Sequence, residues 1–494
     1  MLLDHSTLEP FEPIVDKLFD SAFGGSLKRL TSAGISTEDV WYTPAFFLFR
    51  AACLSAFKKT QVLVGNMVLD LERQIAALEK EEATARAKRD STAETIKSLR
   101  LVIQNRQLVL RRLIDTMLWV IVYPNFWVLR RLRVEGGIKR IAPETLEPLL
   151  RAIENRNESD ETLTIICDLT TTAQLGDLVV AKWIPARGVM KIVVAELKVG
   201  SMNILLRERL KRLSDSDMKA EITAISEELG RKASEQAARM VRQETRLNNF
   251  ERVIQTDQGV DPLSGLPSKM TRGSTVYKDY RDKLATVLAR AKSDGWCGLT
   301  LDRCLHLIAE ASGRTPAERQ GVKIAHDFYH LRRGSYCAAG REGGDVEAAE
   351  IRNSPKAVDL FDMGMRTSIS MPPLLWYPRN LMLDVLAGRI KVYAQFDYEL
   401  FFDIARETAD IKLSFITGKL ARRIKADKAS GPLIEYRDHR FIRAELGGTR
   451  WMLLGARWFG RLYFSLTRPR DLVRMLKDFL DEVKESQAQR ASKG

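Results

Sequence analysis

A chain of 494 residues is long enough to bury two or three cores, and its 45% hydrophobic content is ordinary for a globular protein. The net charge of +14 favours an anionic partner, with nucleic acid ahead of a membrane surface. Five scattered cysteines exclude a disulfide-rich scaffold and favour a reducing compartment.

Two kinds of membrane signal are missing from the sequence. The first residues, MLLDHSTLEPFEP, contain no apolar run of the secretory type. The longest apolar candidate, residues 117–129, is interrupted by Pro124 and Asn125 and is shorter than the roughly 20 residues of a membrane-spanning helix. We therefore expect a cytoplasmic protein without a transmembrane segment.

The N-terminal quarter is predicted to be helical. Short helices are expected over residues 1–60, and the absence of Gly and Pro from Asn66 to Tyr123 favours long helices over residues 61–135. Apolar residues three and four apart form a seam typical of a coiled coil. The seam has two stretches, Val64, Val68, Leu71, Ile75 and Leu78, then Ile96, Leu99, Ile103 and Leu110.

These two stretches allow two architectures. Ser91 and Glu94 have the spacing of a capping box, which favours a helical hairpin that turns near Asp90, and one continuous rod is the alternative. The seam can pair within the chain, with a second copy in a homodimer, or with a partner protein through residues 61–115. Packing within the chain is at least as well supported as dimerisation.

A mixed segment follows the break at Gly136-Gly137. Pro143 fits the first turn of a helix over residues 143–155. A turn of Pro, Ala, Arg and Gly at 185–188 separates two runs rich in β-branched residues, which is the pattern of a β-hairpin. Helices are expected to continue to about Phe250. The three strands predicted between these helices are residues 162–169, 176–182 and 190–200.

Charged side chains lie at the ends of the hairpin strands. Asp177 opens the first strand, and Glu196 and Lys198 share one face of the second because side chains alternate along a strand. Carboxylates on neighbouring strands suit Mg²⁺, and a nearby lysine can hold the attacking water or neutralise charge on a phosphate. An ion pair between Glu196 and Lys198 in a purely structural hairpin is the alternative.

Asp177 followed by Glu196-Leu197-Lys198 resembles the D…(D/E)xK signature of the PD-(D/E)xK nuclease superfamily, over roughly residues 143–250. Gly176 stands where the family often has proline. The resemblance implies a restriction-endonuclease-like αβββα core and hydrolysis that depends on Mg²⁺ or Mn²⁺. It implies catalytic roles for Asp177, Glu196 and Lys198, and metal ligation by Asp177, Glu196 and the backbone carbonyl of Leu197.

Two further features follow from the same resemblance. A glutamate on the first helix adds a metal contact in some members, and Glu147, ahead of Glu154, is the candidate here. Some members carry Gln and Tyr three residues apart on the helix after the strands; Gln243 lacks a Tyr at that spacing.

The helices after the hairpin are rich in arginine. Interleaved glutamates allow a solvated face with i,i+4 ion pairs, and the position beside the proposed site allows contacts to the phosphates of a nucleic acid, with DNA favoured. The candidate nucleic-acid-binding residues are Arg207, Arg209, Arg239, Arg242 and Gln243.

The loop at residues 255–272 is rich in Gly, Pro and Ser and marks a domain boundary. Helices are predicted over residues 277–292, 299–311 and 379–387, followed by a strand from Arg389. The runs PLIEYR, RFIRAEL, TRWMLL and RLYFSL predict a β-meander, and Pro469 opens a terminal amphipathic helix. His326 and His330 have metal-ligand spacing, although a structural role is favoured.

The fold class predicted is therefore a mostly helical α+β protein. It has long N-terminal helices with a coiled-coil-like hairpin, a restriction-endonuclease-like core, and a C-terminal α+β region with a β-meander. The domains predicted are residues 1–60, 61–135, 140–255 and 273–494.

Two functions fit these patterns. The first is a Mg²⁺-dependent nuclease that hydrolyses phosphodiester bonds of DNA, and an effector of a bacterial defence system is an analogy from architecture. The second is a non-catalytic nucleic-acid-binding or assembly protein that uses the coiled coil for partners and the basic helices for phosphates. Cleavage that requires a metal ion distinguishes the first from the second.

Overall fold

The computed structural model of the chain describes most of its helices and strands. The described residues are 11–33, 45–123, 132, 140–156, 161–184, 189–196, 201–210, 215–256, 258–260, 267–269, 279–311, 358–360, 378–386, 389–417, 441–447, 450–454, 456–464 and 466–491.

Two compact units make up the chain: Pro13–Met270, and Thr271–Gly494 together with Met1–Glu12. In both units helices outweigh small antiparallel sheets, so the predicted class, a mostly helical α+β fold, is confirmed. Each unit is described by itself below.

The first helices in the chain include two long ones that pair with each other. They are α1 (Glu12–Phe19), which runs on through a π-helical turn (Asp20–Gly24), then α2 (Gly25–Ser32), α3 (Ala45–Ala87) and α4 (Ala93–Val122). The chain turns between Ala87 and Ala93, so the predicted hairpin is confirmed and the continuous rod is wrong. Val64, Val68, Ile103 and Leu110 are buried, whereas Leu99 is 49% exposed, so most of the seam packs within the chain.

The predicted capping box at the start of α4 is wrong. Thr92 is the capping position and its side chain makes no capping hydrogen bond. Instead, the Thr92 amide donates to the Asp90 carboxylate at 2.9 Å, which lowers the pKa of Asp90. The Glu94 carboxylate pairs with Lys97 at 3.2 Å rather than reaching back toward Ser91.

The mixed segment has the predicted order of helix, three strands and helices. The elements are α5 (Pro143–Arg156), β1 (Thr162–Ile166), a 3-10 turn (Cys167–Leu169), β2 (Leu178–Ile184), β3 (Val189–Ala195), α6 (Ser201–Leu210), α7 (Asp215–Leu229) and α8 (Arg231–Thr256). The strands form an antiparallel sheet in the order β1-β2-β3. A two-stranded sheet, β4 (Gln258–Val260) with β5 (Pro267–Lys269), follows in the stretch predicted as a loop.

A glutamine of α3 covers the outer edge of this sheet. Gln61 is fully buried; its amide group donates to the Thr164 carbonyl at 2.7 Å, and its carbonyl accepts from the Ile166 amide at 2.9 Å. The side chain thus replaces the missing neighbouring strand, so buried backbone groups of β1 are satisfied.

The second unit contains two further sheets. Its elements are α9 (Arg281–Asp294), β6 (Trp296–Leu301), β7 (Leu305–Ala311), β8 (Val358–Asp359), α10 (Arg379–Leu386), β9 (Ile390–Phe396), α11 (Tyr398–Ala409), β10 (Leu413–Phe415), β11 (Ile442–Gly447), β12 (Arg450–Leu454), α12 (Ala456–Phe464) and α13 (Pro469–Ala491). The sheet orders are β6-β7-β9-β8 and β10-β11-β12.

Two predictions for this unit are wrong. Residues 299–311 form most of the hairpin β6–β7 rather than a helix, and the run RLYFSL begins in helix α12 rather than forming a strand. The helix from Arg379, the strand β9, the strands β11 and β12 of the meander and the terminal helix α13 are confirmed. His326, His330 and the run PLIEYR lie outside the described residues.

Helices α3 and α5 approach each other closely at a glycine. A Cβ atom added to Gly65 would overlap Leu150 Cδ2 and lie 3.1 Å from Leu150 Cδ1. Both residues are buried, so the absence of a side chain at position 65 sets the distance between the two helices.

We expect Gly65→Ala to destabilise the protein, although alanine has the higher helix propensity by about 1 kcal/mol. Overpacking against Leu150 costs about 1–3 kcal/mol, and Leu150→Ala alone costs about 2–5 kcal/mol through the cavity that it leaves. In the double variant the added methyl group enters that cavity, so urea unfolding should give a smaller loss than the sum of the single variants. Additive losses would contradict the proposed contact.

Candidate active site

The two candidate carboxylates lie at one end of the β2–β3 pair. The last pair of the register is Leu178 with Ala195; Asp177 comes directly before Leu178 in the chain, and Glu196 comes directly after Ala195. The sequence predicted these residues at strand ends, and the structure places both at the same end of the β2–β3 pair.

Backbone hydrogen bonds fix Asp177 on both sides. Its amide donates to the Ala195 carbonyl at 3.0 Å, and its carbonyl accepts from the Cys167 amide at 2.9 Å. Ala195 therefore faces both Asp177 and Leu178, which is the arrangement of a β-bulge. Bulges bend a strand and change the direction of its side chains, and they are frequent beside active sites.

Gly176 is required for this arrangement. Its φ of 72° lies in the left-handed region, which disfavours residues with a Cβ atom. A Cβ atom at this position would also lie 2.5 Å from Val194 Cγ1 and 3.0 Å from the Ala195 carbonyl oxygen. Proline, which the family often has here, cannot adopt a positive φ, so the departure from the family pattern has a local structural reason.

The donor chemistry at this end of the sheet fits a hard dication. Asp177 and Glu196 are both half-buried, and Glu196 Oε1 is shielded from solvent. Mg²⁺ is commonly held by one or two carboxylates together with waters and substrate phosphates. Among the residues that the structure describes, no cluster of three or more His, Cys, Asp or Glu side chains could hold a metal ion, so an ion at this end of the sheet would also need water or phosphate oxygens as ligands.

Of the three other predicted site residues, the structure describes only Glu147. Leu197 and Lys198 lie outside the described residues. Glu147 lies on α5, as expected, but its carboxylate accepts from the Arg73 guanidinium of α3 at 2.6 Å, and its side chain is 44% exposed. This contact gives Glu147 a role in tying α3 to α5.

The loop that leads from β1 to Asp177 is held by residues that sequence reasoning missed. Asp115 of α4 accepts hydrogen bonds from Thr171 and Thr172, and Arg111 of α4 donates to the Thr170 carbonyl at 2.5 Å. The sequence does contain an indication of these residues, because the charged residues Arg111, Arg112 and Asp115 interrupt an otherwise apolar stretch of helix.

The predicted nucleic-acid-binding residues fall into two groups. Arg209 is bound by Glu221 at 2.5 Å and by Glu228 at 2.6 Å, and these hydrogen bonds, Glu228 first, raise its pKa. It ties α6 to α7 through these two glutamates. Arg207, Arg239 and Arg242 are exposed, whereas Gln243 is half-buried.

Helix α8 carries a row of cations on the side away from its core contacts. Ala233, Ala237 and Met240 pack against α6 and α7. At about 100° per residue, the row lies on the opposite side of the helix within a sector of about 80°. The row, which we call the α8 basic row, consists of Lys232, Arg239, Arg242 and Arg246, all exposed.

Comparison with known proteins gives no assignment: no family model, no curated protein and no solved structure matches this chain. Within the part of the chain that the structure describes, no helix is both long enough and apolar enough to cross a membrane.

Gly176→Ala should destabilise the protein more than Gly230→Ala, which is a matched control. Gly230 has a φ of 84° but no atom within 4 Å of an added Cβ, so it isolates the backbone cost. That cost is roughly 1–2 kcal/mol, and the contact with Val194 should add about 1–3 kcal/mol at position 176. Denaturant unfolding of both variants measures the difference. Equal losses would show that the β2–β3 end has room for a side chain.

Proposed function

We propose that the unit Pro13–Met270 is a Mg²⁺-dependent nuclease that acts in the cytoplasm on the phosphodiester bonds of DNA. The observation that supports the proposal is the position of Asp177 and Glu196, which both adjoin the last residue pair, Leu178 and Ala195, at one end of the β2–β3 pair. The order α5-β1-β2-β3-α6 agrees with the core that the PD-(D/E)xK resemblance implies.

Each candidate residue has a distinct role in this proposal. The carboxylates of Asp177 and Glu196 bind the metal ion, with the Leu197 carbonyl as a third ligand. When bound, Mg²⁺ acts as a Lewis acid on the scissile phosphate. Lys198 holds the water that attacks phosphorus, or stabilises the negative charge that develops on the phosphate oxygens.

The α8 basic row supplies the surface for the substrate's phosphates. Lys232, Arg242 and Arg246 have no salt bridge with another described residue, and Arg239 donates to the Gln236 side chain, which is neutral. Such cations bind a polyanion mainly through counterion release, which makes binding dependent on salt but not on sequence. DNA is favoured over RNA by the resemblance alone.

The α8 basic row also favours the second function, that of a nucleic-acid-binding protein without catalytic activity. In that case the pair Asp177 and Glu196 is part of the scaffold, and the protein binds nucleic acid equally well with and without Mg²⁺. Most of the seam of α3 and α4 is buried within the chain, so a homodimer or partner complex would use the exposed surface of this hairpin, which includes Leu99.

Asp177→Asn and Glu196→Gln should abolish cleavage while the fold is kept, because each change removes the charge but keeps the shape of the side chain. Loss of one group that stabilises transition-state charge lowers a rate by about 100-fold or more. The measurement is cleavage of labelled duplex and single-stranded DNA and RNA with Mg²⁺, Mn²⁺ or EDTA, alongside thermal unfolding. Lys198→Ala should give the same loss of cleavage.

Glu144→Gln is the matched control for these variants, since Glu144 is an exposed carboxylate in the first turn of α5. It should cleave like the wild type. Full activity of Glu196→Gln would exclude the assignment, and binding of nucleic acid without metal-dependent cleavage by the wild type would favour the second function.

Arg239→Gln and Arg242→Gln should weaken nucleic-acid binding by a similar factor for all sequences. Each should reduce the slope of log K against log salt concentration by about 1. Arg252→Gln is the matched control, because Arg252 is exposed on the same helix about a third of a turn from the row. Fluorescence anisotropy in EDTA measures binding without cleavage; unchanged slopes for Arg239 and Arg242 would exclude the row as the binding surface.

A further inference from the structure

One buried carboxylate holds the loop that precedes the candidate metal ligand. Asp115 Oδ1 accepts from the Thr171 amide at 2.9 Å, the Thr172 amide at 3.2 Å and the Thr172 hydroxyl at 2.8 Å. Asp115 Oδ2 accepts from the Thr171 hydroxyl at 2.5 Å and from Arg112 at 3.4 Å. Asp115 is 6% exposed, so water does not compete for these bonds.

Two arginines beside Asp115 extend the contact to the rest of the loop. Arg111 is 4% exposed and donates to the Thr170 carbonyl, one residue before the segment that Asp115 binds. Burial lowers the pKa of Arg111, and the charges of Asp115, Asp168 and Glu72 act in the opposite direction. Opposite charges are thus gathered around the start of the loop.

The loop is tied down at its second half as well. The amides of Gln174 and Leu175 both donate to the Leu132 carbonyl, at 2.7 and 2.8 Å. The Cys167 amide donates to the Asp177 carbonyl, and the Cys167 thiol donates to the Leu175 carbonyl at 3.5 Å. The first and last residues of the loop, Cys167 and Asp177, are therefore joined by a backbone hydrogen bond.

These contacts fix the conformation of the loop, which ordinary hydrophobic packing would do less specifically. Buried ion pairs stabilise a fold little compared with hydrophobic residues of the same volume, because desolvation offsets the attraction. They do fix one conformation of the groups that they bind. Here the fixed segment, Thr170–Thr172, lies five residues before Asp177.

We propose that Asp115 is a positioning residue for the metal site: by binding Thr171 and Thr172, it holds the loop that leads to Asp177 at the end of the β2–β3 pair. This inference rests on the proposed nuclease function. Residues that orient metal ligands without contacting the metal typically change its affinity by about 10–100-fold when they are replaced.

The test compares Asp115→Ala with Glu82→Ala, a matched control. Glu82 is also buried at 6% exposure and pairs with Arg86 and Arg100, but it lies on the α3–α4 hairpin and makes no bond to the loop. Three quantities are measured on the full chain: Mn²⁺ affinity by calorimetry, alkylation of Cys167 by peptide mass spectrometry, and the unfolding temperature. Cys167 is 1% exposed, so its alkylation reports opening of the loop.

Asp115→Ala should weaken Mn²⁺ binding by about tenfold or more and accelerate alkylation of Cys167. Glu82→Ala should lower the unfolding temperature while leaving both other quantities unchanged. Asp115→Asn, which keeps one acceptor oxygen, should fall between the wild type and Asp115→Ala. If Asp115→Ala does not fold, Thr172→Val removes the hydroxyl bond alone and should weaken Mn²⁺ binding in the same direction.

Two results would overturn the inference, and they differ in what they imply for the nuclease. If Glu196→Gln loses Mn²⁺ binding but Asp115→Ala and Thr172→Val both keep the wild-type affinity, the metal site exists and Asp115 does not position it. If the wild type binds no Mn²⁺ that depends on Glu196, the metal site itself is absent and both proposals fail. In that case faster alkylation of Cys167 in Asp115→Ala would still identify Asp115 as a structural residue of the loop.

Discussion

The site depends on one backbone hydrogen bond, from the Asp177 amide to the Ala195 carbonyl. That bond requires the chain to turn back onto β3 one residue earlier, and Gly176 makes the turn possible because it has a positive φ and no Cβ atom to meet Val194. Without it, the end of β2 would separate from the end of β3. The two candidate carboxylates would then no longer adjoin the same end of the β2–β3 pair.

The elements that sequence reasoning predicted well are those with a long, regular pattern. The seam of α3 and α4 repeats over many turns, and the three strands of the first sheet are short apolar runs bounded by turn residues, so chance matches are few. The wrong predictions concern features that are recognised from only two or three residues. Ser91 and Glu94 have capping-box spacing, yet Thr92 is the capping position and Asp90 satisfies its amide.

The second unit shows how unusual turns and aromatic residues mislead such reasoning. Asp302 and Arg303 have φ values of 46° and 66°, as a type I′ turn requires, but Arg in place of Gly conceals the turn between β6 and β7. In α12, Phe459, Leu462 and Tyr463 are buried at helical spacing although aromatic residues favour strands. In the sequence Arg209 looks the same as the exposed arginines near it. Its two ion-pair partners are 12 and 19 residues away, so no local pattern indicates that it is paired.

The candidate site combines a part that local sequence can identify and a part that only tertiary structure can. The types of Asp177 and Glu196, and their places at strand ends, follow from alternation and composition. The conformation of the loop between β1 and β2 does not, because it is set by Asp115 from a helix more than 50 residues away. The amides of Thr171 and Thr172 turn inward, and a hydrophobic residue at position 115 could not accept their hydrogen bonds. A buried carboxylate on α4 is therefore the feature that lets this loop be both enclosed and fixed.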